Sequence, residues 1–324
     1  MGRALERREF LRVGALGALA LGVPSSIAFA APKPQKFKIG MAATTWLTET
    51  ASTDSYWNAA QAIAALNIGA TEADNGEARL DSAYHNNVSA FRKRSHAVGV
   101  RLPGVFQALP LHDSQKLPEM QSKVRSVAGF LQTAGAEYIA LGWDVPSSAP
   151  GKLYQRTPED VRNAISVMDN IGRLALEDFG IVIAFHAERD IPKQIVLQVL
   201  DQTNPKYIRF CADVGHLTGM GLNAVETVKT YASKLAVSHW KDFDPKLPGP
   251  SYLGESGTGD FVELGKGVVN FPALADLYRD IGFNGWVMLE LDRTREPSIE
   301  ASAQEMKAYV TDRLKLRMYP RKAK

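Results

Sequence analysis

The chain of 324 residues is 45 % hydrophobic and 23 % charged, ordinary globular values for one large α/β domain or two average ones. Its formal net charge of +3 leaves no electrostatic footprint for nucleic acid. A single cysteine, Cys211, excludes an internal disulfide, and six histidines are enough for one metal site but too few for a His-rich multi-metal cluster.

Residues 6–12 read Glu-Arg-Arg-Glu-Phe-Leu-Arg, an apolar run follows from Val13 to Val23, and Ala28-Phe29-Ala30 is a small-x-small cleavage pattern. A basic start, a short apolar stretch and a small-residue site make a signal peptide. The run is too short to span a bilayer comfortably. The paired arginines followed by Phe-Leu resemble a twin-arginine export signal. Residues 1–30 are therefore expected to engage the twin-arginine machinery and be removed, leaving a periplasmic or exported chain with no membrane attachment. Four arginines and two glutamates leave with that segment, so the charge falls from +3 to +1.

From residue 36 onward short β-rich runs alternate with longer amphipathic runs. The β-like runs are Phe37–Met41, Ala70–Ala73, Val98–Phe106, Tyr138–Gly142, Ile181–His186, Tyr207–Asp213, Leu235–His239 and Trp286–Glu290. Helix-like stretches lie between them, among them Tyr56–Leu66, Met120–Gln132, Pro158–Glu177, Ala224–Ala232, Pro272–Ile281 and Ser298–Arg313. Thr157-Pro158-Glu159-Asp160 offers an N-cap, a proline at the first helical position and acids in the first turn; Phe179-Gly180 stops that helix. Eight strands alternating with helices predict a single-domain α/β fold, a (β/α)8 TIM barrel over residues 36–316, with a basic tail at 317–324. An open doubly wound sheet would carry a glycine-rich phosphate turn after the first strand, and Gly40-Met41-Ala42-Ala43-Thr44-Thr45-Trp46 does not. The longest irregular piece, Phe243–Val268, falls where a barrel places an active-site loop.

Chemistry in such barrels sits at the carboxyl ends of the strands. There the sequence places Glu72 and Asp74, Trp143 and Asp144, His186 and Glu188, Asp213 and His216, His239 with Lys241 and Asp242, and Glu290 with Asp292. Buried strand ends do not tolerate such groups without partners, and a carboxylate–imidazole cluster around one divalent ion would supply them. Mixed O and N donors suit Mn, Co, Mg or Zn. Cys211, two residues before Asp213, is read as a small apolar residue facing the barrel interior.

Asp213-Val214-Gly215-His216, His239-Trp240-Lys241-Asp242, the run Gly265-Lys266-Gly267-Val268-Val269-Asn270-Phe271 and Gly285-Trp286-Val287-Met288-Leu289-Glu290 resemble the xylose isomerase-like TIM-barrel superfamily. Within it they are most similar to the sugar phosphate isomerase/epimerase and inosose dehydratase group. The resemblance covers nearly all of the chain after the leader. It implies a four-residue ligand set of His186, Asp213, His239 and Glu290. Many epimerases of the group carry Glu at the strand-five position; here it is His186, followed by Ala187-Glu188. This departure weakens a symmetrical two-glutamate epimerisation and leaves Glu188 as base or as extra ligand. His216 matches the Asp-x-x-His form and resembles a substrate-binding group.

The implied reaction removes a proton from carbon beside a carbonyl to give an enediolate. Its return yields epimerisation or aldose–ketose isomerisation, and loss of a β-hydroxyl yields dehydration. The expected activity is a divalent-metal-dependent sugar isomerase or epimerase. An inosose dehydratase-like enzyme or a keto-glycoside lyase or hydratase is the first alternative, and a non-catalytic sugar-binding barrel the second. Glu290 and Glu188 are the candidate catalytic carboxylates. Lys241 and His216 are candidates to hold substrate oxygens, and Trp46, Trp143 and Trp240 to offer apolar faces to a carbohydrate or cyclitol ring. A homo-oligomer fits the group.

Overall fold

The computed structural model describes residues 33–49, 55–74, 87–144, 155–249 and 258–322. The leader expected at residues 1–30 and His85 lie outside them. Along the chain run β1 (Lys38–Ala42), α1 (Thr44–Glu49), α2 (Ser55–Ala65), β2 (Thr71–Asp74), α3 (Val88–Val98), β3 (Gly104–Leu109), α4 (Leu117–Ala134), β4 (Tyr138–Trp143) and α5 (Pro158–Phe179). They are followed by β5 (Val182–His186), α6 (Lys193–Gln202), β6 (Ile208–Asp213), α7 (Val214–Gly219), α8 (Ala224–Thr230), β7 (Leu235–Trp240), β8 (Asp242–Pro248), β9 (Thr258–Val262), α9 (Phe271–Asp280), β10 (Trp286–Leu289) and α10 (Ile299–Ala308). Eight of these strands close a parallel barrel in the order β1-β10-β7-β6-β5-β4-β3-β2, the expected (β/α)8 architecture. Among the described residues no helix is long and apolar enough to cross a membrane.

Alternation along each strand divides the core into two compartments. Ala42, Ala70, Tyr138, Ala140, Ala184, Cys211, Val237, Trp286 and Met288 fill the barrel interior. Their intervening neighbours join the much larger apolar layer between strands and helices. The interior is thus a packed plug, with Tyr138 and Trp286 towards the amino ends of the strands. The segment after α10 crosses that end: the Tyr319 N–H donates to the Ile39 carbonyl (2.7 Å) and the Gly69 N–H to the Tyr319 carbonyl (2.8 Å).

Local signals account for the helix bounds. Thr157 and Asp160 form a reciprocal capping box at α5, and Gly180 ends that helix in the left-handed region (φ 69°). Two expectations need correction. Val98–Phe106 is not one strand: Val98 ends α3, Gly99 caps it at φ 80°, and β3 begins at Gly104. Phe243–Val268 is not simply irregular, because β8 and β9 pair as an antiparallel ribbon over the barrel mouth.

Asp242 anchors that ribbon. Its Oδ1 accepts from the N–H groups of Phe243 (2.8 Å) and Val269 (3.0 Å), and its Oδ2 from those of Gly265 and Gly267 (2.9 Å each). A β-carbon at residue 267 would lie 2.4 Å from Asp242 Oδ1, and one at residue 265 would strike the Tyr309 ring. Gly267 therefore answers to the close approach of backbone to this carboxylate, and Gly265 to its φ of 88° and the Tyr309 ring.

Candidate metal centre and active site

The parallel register sets Asp213 beside His239, Cys211 beside His186 and Met288 beside His239, so inward residues at these strand ends share a layer. His186, Asp213, His239 and Glu290 each bring one donor atom to a cluster in which all lie within 4.8 Å of one another, and all four are buried. His239 Nδ1 is 2.6 Å from Glu290 Oε2 and 4.0 Å from Asp213 Oδ2, and His186 Nε2 is 3.5 Å from Asp213 Oδ2. Two donors about 2.1 Å from one ion stand roughly 3.0–3.5 Å apart, within this spread.

The rest of each side chain is tied so that these atoms converge. Asp213 caps α7, its Oδ1 accepting from the His216 N–H at 2.8 Å, which leaves Oδ2 facing the cluster. Glu290 Oε1 accepts from Lys241 Nζ at 3.1 Å. His239 Nε2 faces both oxygens of Glu72, at 3.1 and 3.2 Å, and Glu72 in turn accepts from the Tyr138 hydroxyl at 2.6 Å. Against burial, Glu72 and Glu290 hold the imidazole well above the usual histidine range; once an ion displaces that charge, a proton kept on Nε2 towards Glu72 would leave the Nδ1 lone pair facing Asp213 and Glu290. Both ring nitrogens of His186, Asp213 Oδ2, His239 Nδ1 and Glu290 Oε2 are buried and make no hydrogen bond among the described residues. One such atom from each of the four residues fits a divalent cation, which satisfies lone pairs that no donor reaches.

Charge at the site points the same way. Burial works against a proton on His186, yet Asp213 and Glu188 outweigh it and push the imidazole up to about 10. Burial also opposes the charge on Lys241, but Asp213, Asp292 and Glu290 hold its ammonium well above the usual lysine range; Nζ lies 2.7 Å from Asp292 Oδ1. The carboxylates thus attract every available positive charge. His216 is the exception, pushed well below the usual histidine range by burial. Its Nδ1 accepts from the Arg189 N–H at 2.9 Å, so the neutral ring carries its proton on Nε2. Burial raises Glu188.

A cavity of about 200 Å³ opens over this cluster, lined by His186, Glu188, His216, Lys241, Glu290 and Asp292 together with Thr44, Asp74 and Phe106. A cleft of about 280 Å³ lies elsewhere, lined by residues such as Arg92, His96, Arg101 and Lys322. It lacks the carboxylate–imidazole convergence.

Residues 60–310 match the sequence profile of the xylose isomerase-like TIM barrel family. The chain belongs to this family. An inosose dehydratase of Geobacillus kaustophilus is 20 % identical over 279 residues, covering 79 % of this chain and 88 % of the relative. One from Clostridium botulinum is 23 % identical over 198 residues, with 56 % and 65 % covered. Among solved structures, the IOLI protein with a bound zinc atom superposes with a TM-score of 0.65 at 17 % identity, covering 86 % of this chain and 98 % of that one. A D-allulose 3-epimerase from Methylomonas gives 0.64 at 16 %, covering 87 % and 99 %. At such identities the two structures establish the fold alone.

In this xylose isomerase-like barrel the three tryptophans expected to face substrate do not line the cavity. Trp240 follows inward-facing His239 and so points outward, packed against Phe271 and Tyr278 of α9 with ring centroids at 5.3 and 6.0 Å. Trp143 follows Gly142 and is likewise turned away, its Nε1 towards His112 (3.4 Å) and the Arg156 guanidinium over its ring (5.0 Å). Trp46 is buried in the layer between barrel and helices. Among the described residues the aromatic face lining the cavity is Phe106, on β3. Gly142 leaves the room for it, since a β-carbon there would lie 2.6 Å from Phe106 and 2.8 Å from Glu188 Oε1. Glu72 and Tyr138 were visible only as a strand-end acid and a strand residue; their partner His239 is distant in sequence.

Proposed function

We propose that this chain is a divalent-metal-dependent enzyme that removes a proton beside the carbonyl of a polyhydroxylated ketone and expels a β-hydroxyl, an inosose dehydratase-like lyase. The observation that carries the reading is the asymmetry of the cavity. His186 stands where a second carboxylate ligand would serve epimerisation. Of the two glutamates left, Glu290 accepts from Lys241 at 3.1 Å, whereas Glu188 among the described residues has an ion-pair contact with His186 alone, at 3.6 Å, and keeps 27 % of its side chain exposed at the cavity it lines. Likeness to inosose dehydratases along most of the chain supports the same reading.

A divalent ion held by His186, Asp213, His239 and Glu290 supplies Lewis acidity towards the substrate carbonyl oxygen. Glu188 takes the proton from carbon and delivers it to the departing hydroxyl, so that C–H and C–O bonds break, a conjugated C=C forms and water leaves. The Lys241 ammonium and the His216 Nε2–H hold substrate oxygens and favour the negative charge that develops on them. Phe106 packs against the ring. The carboxylates and the ammonium between them suit a small neutral polyol ketone, and the cavity volume suits a single ring. The leader pattern supports export, with maturation after Ala30.

The test is incubation of the metal-loaded protein with inososes, keto-sugars and keto-glycosides in deuterium oxide. Loss of water from an inosose, absent in Glu188→Gln, is the expected result. Deuterium returned to carbon without loss of water would shift the reading to epimerase or isomerase. Absence of exchange with every compound would leave a binding protein and end the enzymatic reading.

A further inference from the structure

The sequence offered only oxygen and nitrogen donors for an ion, but the fold brings a sulfur to the same place. Cys211 stands in register with His186 on the neighbouring strand and two residues below Asp213 on β6. It is wholly buried, in the interior plug directly beneath the carboxylates. Its Sγ and one nitrogen each from His186 and His239 all lie within 4.8 Å of one another. Among the described residues both nitrogens of His186 and Nδ1 of His239 lack a hydrogen-bond partner, and both side chains are at least 96 % buried. The thiol thus stands beside two buried imidazoles, not among alkyl groups alone.

We infer that His186, Cys211 and His239 form a second, thiolate-containing coordination mode of the centre, selective for soft divalent ions. The inference rests on the metal-centre reading above and extends it. Ligands at about 2.0–2.1 Å (N) and 2.3 Å (S) from zinc stand roughly 3.5 Å apart, a spacing inside the 4.8 Å limit within which these three atoms already lie. Hard ions such as Mg2+ and Mn2+ prefer the oxygens of Asp213 and Glu290, whereas thiolate draws Zn2+ and Cd2+. The two modes share both imidazoles, so one ion excludes the other. A soft ion drawn to Cys211 sinks towards the floor and away from the carboxylates at the mouth. On binding, the thiol proton is released to solvent.

The experiment is titration of the apoprotein with Co2+ and Cd2+ under reducing conditions, read by absorbance and calorimetry. Because Cys211 is the chain's single cysteine, a stoichiometric thiolate-to-cobalt charge-transfer band in the near ultraviolet can come from no other residue. The expected result is that band, its loss in Cys211→Ser, and Cd2+ affinity roughly 10–100-fold weaker in that variant with Mn2+ affinity unchanged. The wild-type spectrum decides even if the variant fails to fold. Visible cobalt bands without charge transfer would overturn this inference and leave the four-ligand centre standing. Failure of wild-type protein to bind either ion would overturn both.

Discussion

His239 sits between carboxylates with different duties: Glu72 takes its Nε2 proton, while Asp213 and Glu290 face its Nδ1. Replacing Glu72 by Gln removes the charge that fixes this tautomer and leaves the Tyr138 hydroxyl a weaker acceptor. The expected outcome is metal affinity lowered about 10–100-fold with the fold retained, checked by calorimetric titration with Mn2+; unchanged affinity would remove Glu72 from the account. Glu290→Gln is expected to abolish turnover and weaken the ion, since the cluster loses an anionic ligand and Lys241 its charged acceptor, and the deuterium-exchange assay measures it. The inward residues of β5, β6, β7 and β10 were legible in the sequence because alternation and strand ends fix which side chains face the mouth. The same alternation places Trp240 outside once His239 is inside, so that error lay in weighing tryptophan chemistry above period. The Glu72–His239 pair was illegible, since nothing local ties residues so far apart.

At the scale of elements, the ribbon of β8 and β9 covers one side of the cavity. Phe261 lies over the His216 ring (4.7 Å) and the Lys241 ammonium (4.7 Å), so the ribbon keeps both out of bulk water. Its hold on the barrel is Asp242 on β8 and, on β9, buried Asp260, which receives the guanidinium groups of Arg189, Arg293 and Arg295. Asp242→Asn would turn an amide N–H2 towards N–H donors that now meet oxygen. A loss of about 3 kcal/mol is expected, read from denaturant midpoints, with faster proteolysis between residues 243 and 268. Wild-type midpoints would show that the ribbon is held by other means. Sequence periodicity did not reveal these strands because Pro245, Lys246 and Pro248 break any apolar alternation in β8, and what holds the ribbon is long-range and polar. Val98–Phe106 misled for the converse reason: Val98, Val100 and Leu102 alternate like a strand while Gly99 ends a helix.

For the whole molecule, an ion that binds the folded barrel at four strands and not the unfolded chain must stabilise it. At a free concentration 100 times Kd the gain is about 2.7 kcal/mol, and chelation should reverse it; a melting temperature indifferent to both Mn2+ and chelator would mean that the four donors do not act on one ion. The leader reading makes a separate prediction. Mass spectrometry of protein recovered from the producing cell's exterior or periplasm should find Ala31 at the amino terminus, and an uncleaved cytosolic chain would refute it.

The plug of Tyr138, Trp286 and Met288 has a kinetic corollary. Among the described residues these side chains close the barrel axis below the cavity, so what the reaction makes has no way out through the rear. Entry and departure share one doorway, so each turnover must empty the well before the next guest arrives. Product should therefore compete with substrate in steady-state inhibition patterns, and a ternary state holding both should never accumulate.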